Sequence, residues 1–191
     1  MNEINPIEIA NCIKTLKAGG TLLYLTDTIW GIGCDATQEA AVNKVYRIKR
    51  RTLDRTFIIL LADEDDLVNY VKSVPDVAYD LMKAVDKPLT IVYPDGKNVA
   101  PNVMGDDGSL AIRIVKSEFC KEMIRSFGKP IVSTSANLSG GPNPTTFSSI
   151  SPIIISEVDR IVVQSDNPFM ETKQSRIIKI EKNGMFTVLR D

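Results

Sequence analysis

The run Phe57-Ile58-Ile59-Leu60-Leu61 carries no polar side chain, and its reading decides the fold. A strand with one wet face alternates apolar and polar residues. A continuous apolar run instead predicts a central strand covered on both faces, and so a sheet with layers on each side. With Ala62 it makes six apolar residues, the longest such stretch in the chain. A membrane-spanning helix needs about 20.

Working outward, the hydrophobic period switches between that of helices and that of strands. Ile9, Ile13 and Leu16 predict a first helix, ended by Gly19-Gly20. Residues 21–25 predict a strand. Thr37 is placed to cap a second helix with Ala41, Val42, Val45 and Ile48 on one face. Pro75 sits at the first position of another helix, through Ala78, Leu81, Met82 and Val85. Residues 89–93, 110–115 and 130–133 read as strands, with a helix over 117–127 between the last two. Strands over 161–164, 176–180 and 186–189 close the chain, the last pair joined by an Asn183-Gly184 hairpin turn. Residues 95–108 and 139–151 are long polar loops, where function often sits. The expected architecture is one α/β domain over residues 1–191, built on a mixed, twisted sheet.

The 191 residues, 43% apolar and 25% charged, are those of an ordinary globular domain. The absence of histidine excludes more. No Ser-His-Asp or Cys-His nucleophile, no HExxH zinc site and no His-ligated haem can be built. Proton transfer near pH 7 would fall to a perturbed Lys, Asp, Glu or Cys, or to a substrate. Cys12, Cys34 and Cys120 are widely spaced, which suits reduced, buried thiols. The start, Met1-Asn2-Glu3-Ile4-Asn5-Pro6, has neither a basic nor an apolar leader character. A soluble, cytoplasmic protein with no membrane partner is expected.

Three stretches could carry chemistry. Thr26-Asp27-Thr28-Ile29-Trp30-Gly31-Ile32-Gly33 reads as a turn between a strand and a helix, with hydroxyls, a carboxylate and glycines that let backbone N–H groups approach a ligand. Gly31-x-Gly33-x-x-Ala36 mimics a dinucleotide fingerprint but begins too far past the strand. A plain capped turn is the simpler alternative. Next, Arg47, Lys49, Arg50, Arg51 and Arg55 crowd a helix end, where cations complement the helix dipole. Their mutual repulsion favours an anion among them, a triphosphate or a nucleic acid. Third, the strand at Ile131-Val132 runs into Ser133-Thr134-Ser135-Ala136-Asn137-Leu138-Ser139-Gly140-Gly141, a hydroxyl-rich loop suited to phosphate or carboxylate. Ser135 as a nucleophile has no histidine to activate it. Arg113, inside Leu110-Ala111-Ile112-Arg113-Ile114-Val115, needs an anionic partner if buried, and by pattern alone could equally face solvent.

Together, in this order and across nearly the whole chain, these stretches resemble the YrdC family of threonylcarbamoyl-AMP synthases. The resemblance rests on the turn at 26–33, Lys49-Arg50-Arg51, Ala111-Ile112-Arg113, the loop at 133–140, Ser175 and Arg190. It implies an open twisted α/β sheet around a large positively charged cavity. It also implies a reaction: L-threonine, bicarbonate and ATP, with Mg²⁺ on the triphosphate, give threonylcarbamoyl-AMP, pyrophosphate and water. No tightly bound metal or organic cofactor is implied. By the same resemblance Lys49, Arg51, Ser135 and Asn137 are the catalytic group. Arg51, Arg55, Ser109, Ser135, Asn143 and Arg190 hold ATP, and Thr28, Arg113, Ser133 and Ser175 hold threonine. The product would pass to a threonylcarbamoyl transferase acting on adenosine 37 of tRNA. A YciO-type paralogue of altered activity, or a module binding tRNA or double-stranded RNA without turnover, is the alternative. A histidine of longer members falls at Leu60.

Overall fold

The computed structural model describes residues 4–52, 56–162 and 174–191. The chain runs α1 (Pro6–Lys17), β1 (Leu22–Leu25), β2 (Trp30–Gly33), α2 (Glu39–Ile48), β3 (Ile58–Leu61), α3 (Leu67–Tyr70), α4 (Asp76–Ala84), β4 (Leu89–Tyr93) and β5 (Leu110–Ile114). It continues through α5 (Glu118–Phe127), β6 (Ile131–Ser135), α6 (Pro152–Glu157), β7 (Arg160–Ile161), β8 (Arg176–Ile180) and β9 (Phe186–Arg190).

The strands form one open mixed sheet in the order β7-β1-β2-β6-β3-β5-β4-β8-β9. The apolar run does lie at its centre: β3 pairs antiparallel with β6 and parallel with β5. Ile59 and Leu61 pack into one core with α2 residues Val42 and Val45 and with Ile91, Ile112 and Ile178. Leu60 points the other way, into a second core with Ile9, Cys12 and Leu16 of α1 and Cys120, Met123 and Ile124 of α5. Side-chain oxygens start both of these helices: Asn5 accepts from the N–H groups of Ile7 and Glu8, and Ser117 accepts from that of Cys120. Gly128, at φ +76°, ends α5 in the left-handed conformation that glycine adopts without penalty. The three cysteines are buried and free, and burial pushes the Cys12 thiol up to about 11 and Cys120 to about 12. Among the described residues no helix is long and apolar enough to cross a membrane.

Two readings of the sequence are corrected. The stretch 26–33 is no loop into a helix: Trp30–Gly33 is a strand, paired antiparallel with β1 as a hairpin. Gly33 serves packing rather than ligand approach, whereas Gly31 lines the cavity described below. A Cβ on Gly33 would lie 2.6 Å from the Val132 carbonyl and 2.7 Å from the Tyr24 ring. That removes the dinucleotide reading as well. Helix α2 starts after Gln38, because Thr37 is held by Asp35 through both its N–H and its hydroxyl. Of the strand expected over 161–164, Ile161 lies in β7, while residues 163 and 164 fall outside the described residues.

Helices α1 and α5 cover only part of their sheet face. Toward β5, β4 and β8 that face opens into a cavity, and the site is built there.

Candidate active site

The cavity has a volume of about 330 Å³. Its floor is strand residues whose neighbours point into the opposite core: Ala111 and Arg113 of β5, Ile58 of β3, Val92 of β4, and Ser133 and Ser135 of β6. Its lining holds three guanidinium groups, Arg51, Arg113 and Arg190, and no Asp or Glu among the described residues. Trp30 stands in the wall, with Phe147 edge-on against it at 5.3 Å.

Arg113 is 4% exposed, so the solvent-face alternative is excluded. Strand alternation turns it into the cavity while Ile112 goes to the core. Among the described residues its single hydrogen bond is from Nη1 to Thr28 Oγ1, at 3.0 Å. Thr28 and Thr26 hydroxyls lie 2.8 Å apart, and Thr26 donates to the Ile29 carbonyl. A one-way relay from Arg113 to the hairpin backbone follows: guanidinium to Thr28, Thr28 to Thr26, Thr26 to Ile29. Arg113 Nε is buried with no partner, an arrangement that needs a reason. The carboxylate of Asp27 lies 3.5 Å from Nη2.

Among the described residues, the cations expected to crowd the end of α2 point apart. Arg50 takes a left-handed φ of +51°, which breaks the helix and turns its neighbours apart. Arg50 goes outward to Glu157. Arg51 turns into the cavity, donates to the Thr56 carbonyl and lies over the Phe57 ring. Lys49 goes inward and is 2% exposed. Its ammonium donates to the Ser135 carbonyl at 2.5 Å, the Asn137 carbonyl at 2.8 Å and Asn137 Oδ1 at 3.3 Å. The Lys49 carbonyl accepts from Ser139 N–H. Burial, and secondarily the charge of Arg51, pulls the Lys49 ammonium down to about 7.

Lys49 thus organises the loop after β6 from behind, and it is absent from the cavity wall. Ser135 donates to Asn137 Oδ1, and Asn137 donates to the Gly141 carbonyl. Of the four residues expected to act together, Arg51 and Ser135 face the cavity, and Lys49 and Asn137 support them.

Ser175 and Arg190 come from the far side. Ser175 Oγ lies 2.7 Å from Thr90 Oγ1, and the Arg190 guanidinium holds Ser175 and Gln174 together. Burial and the nearby Arg113 charge lower the Arg190 pKa. Thr28, Arg113, Ser133 and Ser175 therefore meet in one cavity with Arg51, Ser135 and Arg190. Ser109 does not join them: it lines a separate groove with Asp107 and Lys179. Asn143 is exposed on the loop and Arg55 lies outside the described residues. Leu60, fully buried, packs in the α1–α5 core beside Arg113 in register. Sequence reasoning did not single out Trp30, Gln174 or Asp27 as site residues. Only the placement of Asp27 between two hydroxyls hinted at its role.

Residues 14–191 match the model of the Sua5/yciO/yrdC family, described as "Telomere recombination". The threonylcarbamoyl-AMP synthase of Stenotrophomonas maltophilia is 33% identical over 159 residues, 82% of this chain and 86% of that protein. That of Xanthomonas oryzae pv. oryzae is 32% identical over 188 residues, 97% of this chain and 98% of that protein. The crystal structure of P. abyssi Sua5 complexed with L-threonine superposes with a TM-score of 0.84 at 25% identity. It is matched over 99% of this chain, which spans about half (55%) of that longer one. E. coli YciO gives a TM-score of 0.84 at 21% identity, over 98% of this chain and 90% of its own.

Proposed function

Because this chain belongs to the Sua5/YciO/YrdC family, we propose that it is a threonylcarbamoyl-AMP synthase, working in the cytoplasm on L-threonine, bicarbonate and ATP. What supports the reading is a buried Arg113 with hydrogen-bonding capacity to spare, in a cavity with two further arginines, in a chain about one third identical to synthases over most of its length.

The chemistry asks for anions to be gathered and held. The threonine carboxylate takes the open N–H groups of Arg113, whose planar fork fits a carboxylate in two-point contact. The hydroxyls of Thr28, Ser133 and Ser175 surround the amino-acid end. Arg51 and Arg190 face the triphosphate and the charge that develops on it, with Ser135 beside them. The amine and bicarbonate condense to a carbamate with loss of water. A carbamate oxygen then attacks the α-phosphorus, the bond to the β-phosphate breaks, and pyrophosphate leaves. Holding the reactants in line can supply much of the rate without a protein base. Mg²⁺ enters on the triphosphate in this reading. Among the described residues no group of three or more Asp, Glu, His or Cys side chains is placed to hold a metal. The adenylate then serves a transferase that modifies tRNA.

The test is pyrophosphate release by purified protein with ATP, Mg²⁺, L-threonine and bicarbonate, each omitted in turn. Release that needs all substrates is expected. Release indifferent to threonine overturns the assignment and points to another acceptor, as a YciO-type paralogue would show. RNA binding that falls steeply with salt, with no turnover, would replace it with a binding role.

A further inference from the structure

The turn between β1 and β2 places one carboxylate, Asp27, directly behind the cavity arginine. Both side chains are buried, Asp27 at 8% and Arg113 at 5% exposure. A buried pair of this kind normally closes into direct hydrogen bonds, since each charge otherwise remains poorly solvated. Here it does not. Asp27 Oδ1 stops 3.5 Å from Arg113 Nη2, and both Asp27 Oδ1 and Arg113 Nε lack any hydrogen-bond partner. The cause is visible on the other oxygen: Asp27 Oδ2 accepts from the backbone N–H of Lys116, just past β5, at 3.2 Å. That bond holds the carboxylate back.

We propose that Asp27 is a stand-off counter-ion: it balances the charge of Arg113 in the empty cavity while leaving the guanidinium N–H groups open for a substrate carboxylate. It is a positioning residue, acting through Arg113, and it sets how tightly the amino acid is held. The proposal deepens the reading above, in which Arg113 takes the threonine carboxylate.

Two substitutions then act in opposite directions. Asp27→Asn keeps the shape and can still accept from Lys116 N–H, but it leaves a buried guanidinium without its counter-charge. The substrate carboxylate becomes the missing anion, so the empty protein melts earlier and binds threonine about tenfold more tightly, the effect of one well-placed charge. Asp27→Glu keeps the charge on a side chain one methylene longer. It reaches the guanidinium, occupies its donors and competes with the substrate, weakening threonine binding about tenfold. Damage to the fold alone would weaken both variants together.

The experiment is calorimetric titration of wild type and both variants with L-threonine and with 3-hydroxybutyrate, which keeps the carboxylate and hydroxyl but lacks the amine. Melting temperatures are measured with and without each ligand. Tighter binding by Asp27→Asn and weaker binding by Asp27→Glu is expected with both ligands. Equal affinities, or shifts of the same sign, overturn the proposal. If Asp27→Asn does not fold, Asp27→Glu still decides: an undiminished affinity rejects the counter-ion role. The 3-hydroxybutyrate arm judges Asp27 alone, whereas threonine-dependent pyrophosphate release by wild type judges the synthase reading.

Discussion

Strand β5 presents two chemically opposite sides within five residues. Leu110 and Ile112 go to the apolar core they share with Ile59, Ile91 and Ile178. Ala111 and Arg113, one residue out of step, go to a cavity of hydroxyls and guanidinium groups. Both sides are buried, yet burial does different work on each. On the first it removes apolar area from water and is complete in itself. On the second it strips water from charged groups and leaves hydrogen-bonding capacity unmet, as at Arg113 Nε. The face that stabilises the fold and the face that uses it share one backbone.

The sharpest way to break this comparison is at Arg51, on the cavity side. Arg51→Ala is expected to lower turnover by about 10²–10³-fold, the usual effect of removing one group that stabilises developing charge. Loss of its contact with the Phe57 ring costs only about 1 kcal/mol of stability. Steady-state pyrophosphate release and a melting curve check the two halves. A variant that keeps its rate and loses most of its stability would put Arg51 on the wrong side of the division.

Ile112→Ala should do the reverse. The side chain is 2% exposed in the apolar core, so truncation costs about 2–5 kcal/mol through lost burial and the cavity left behind. Threonine and ATP affinity of the folded fraction should change little, because Ile112 itself does not line the cavity. Denaturant unfolding and ligand titration together decide it. A changed threonine affinity would mean that the two sides of β5 are mechanically coupled.

The same division explains what the sequence disclosed. The core side was legible because apolar burial has a period: the run at 57–61 contains the central strand, Ile58–Leu61, and 89–93 and 176–180 are strands to the residue. The hydroxyls and arginines of the cavity were legible as an ordered set, since Thr28, Arg51, Arg113, Ser133, Ser135, Ser175 and Arg190 meet in one place. Direction was not legible. Five cations in nine residues looked like one positive patch, but the left-handed turn at Arg50 sends Lys49 inward, Arg50 outward and Arg51 to the cavity. No periodicity encodes a turn of that kind. Strand β2 was hidden for a similar reason: Gly31 and Gly33 have poor strand propensity, and at Gly33 only the close approach of Val132 and Tyr24 requires a glycine.

The smallest effect, and the one that tests where the division runs, belongs to Lys49. It lies behind the cavity yet governs it, because its three ammonium hydrogens meet three acceptors on the loop that carries Ser135 and Asn137. Burial first, and Arg51 second, brings its pKa from 10.5 down to about 7 in the folded protein. The folded pKa is the lower one, so between about 7 and 10.5 the unfolded chain binds the extra proton, and this group's contribution to stability rises with pH across that window. Function runs the other way. A neutral amine has two hydrogens for three acceptors, and the loop loses one hydrogen bond. With threonine and bicarbonate saturating, kcat/KM for ATP reports the protein loaded with those two substrates and awaiting ATP, and should fall about three- to tenfold as pH rises through 7, the effect of one hydrogen bond. Lys49→Arg, whose guanidinium stays protonated, should keep a lower but level profile from pH 6 to 9. Identical profiles for the two proteins would show that the loop is indifferent to this proton, and that Lys49 belongs with the core rather than with the site.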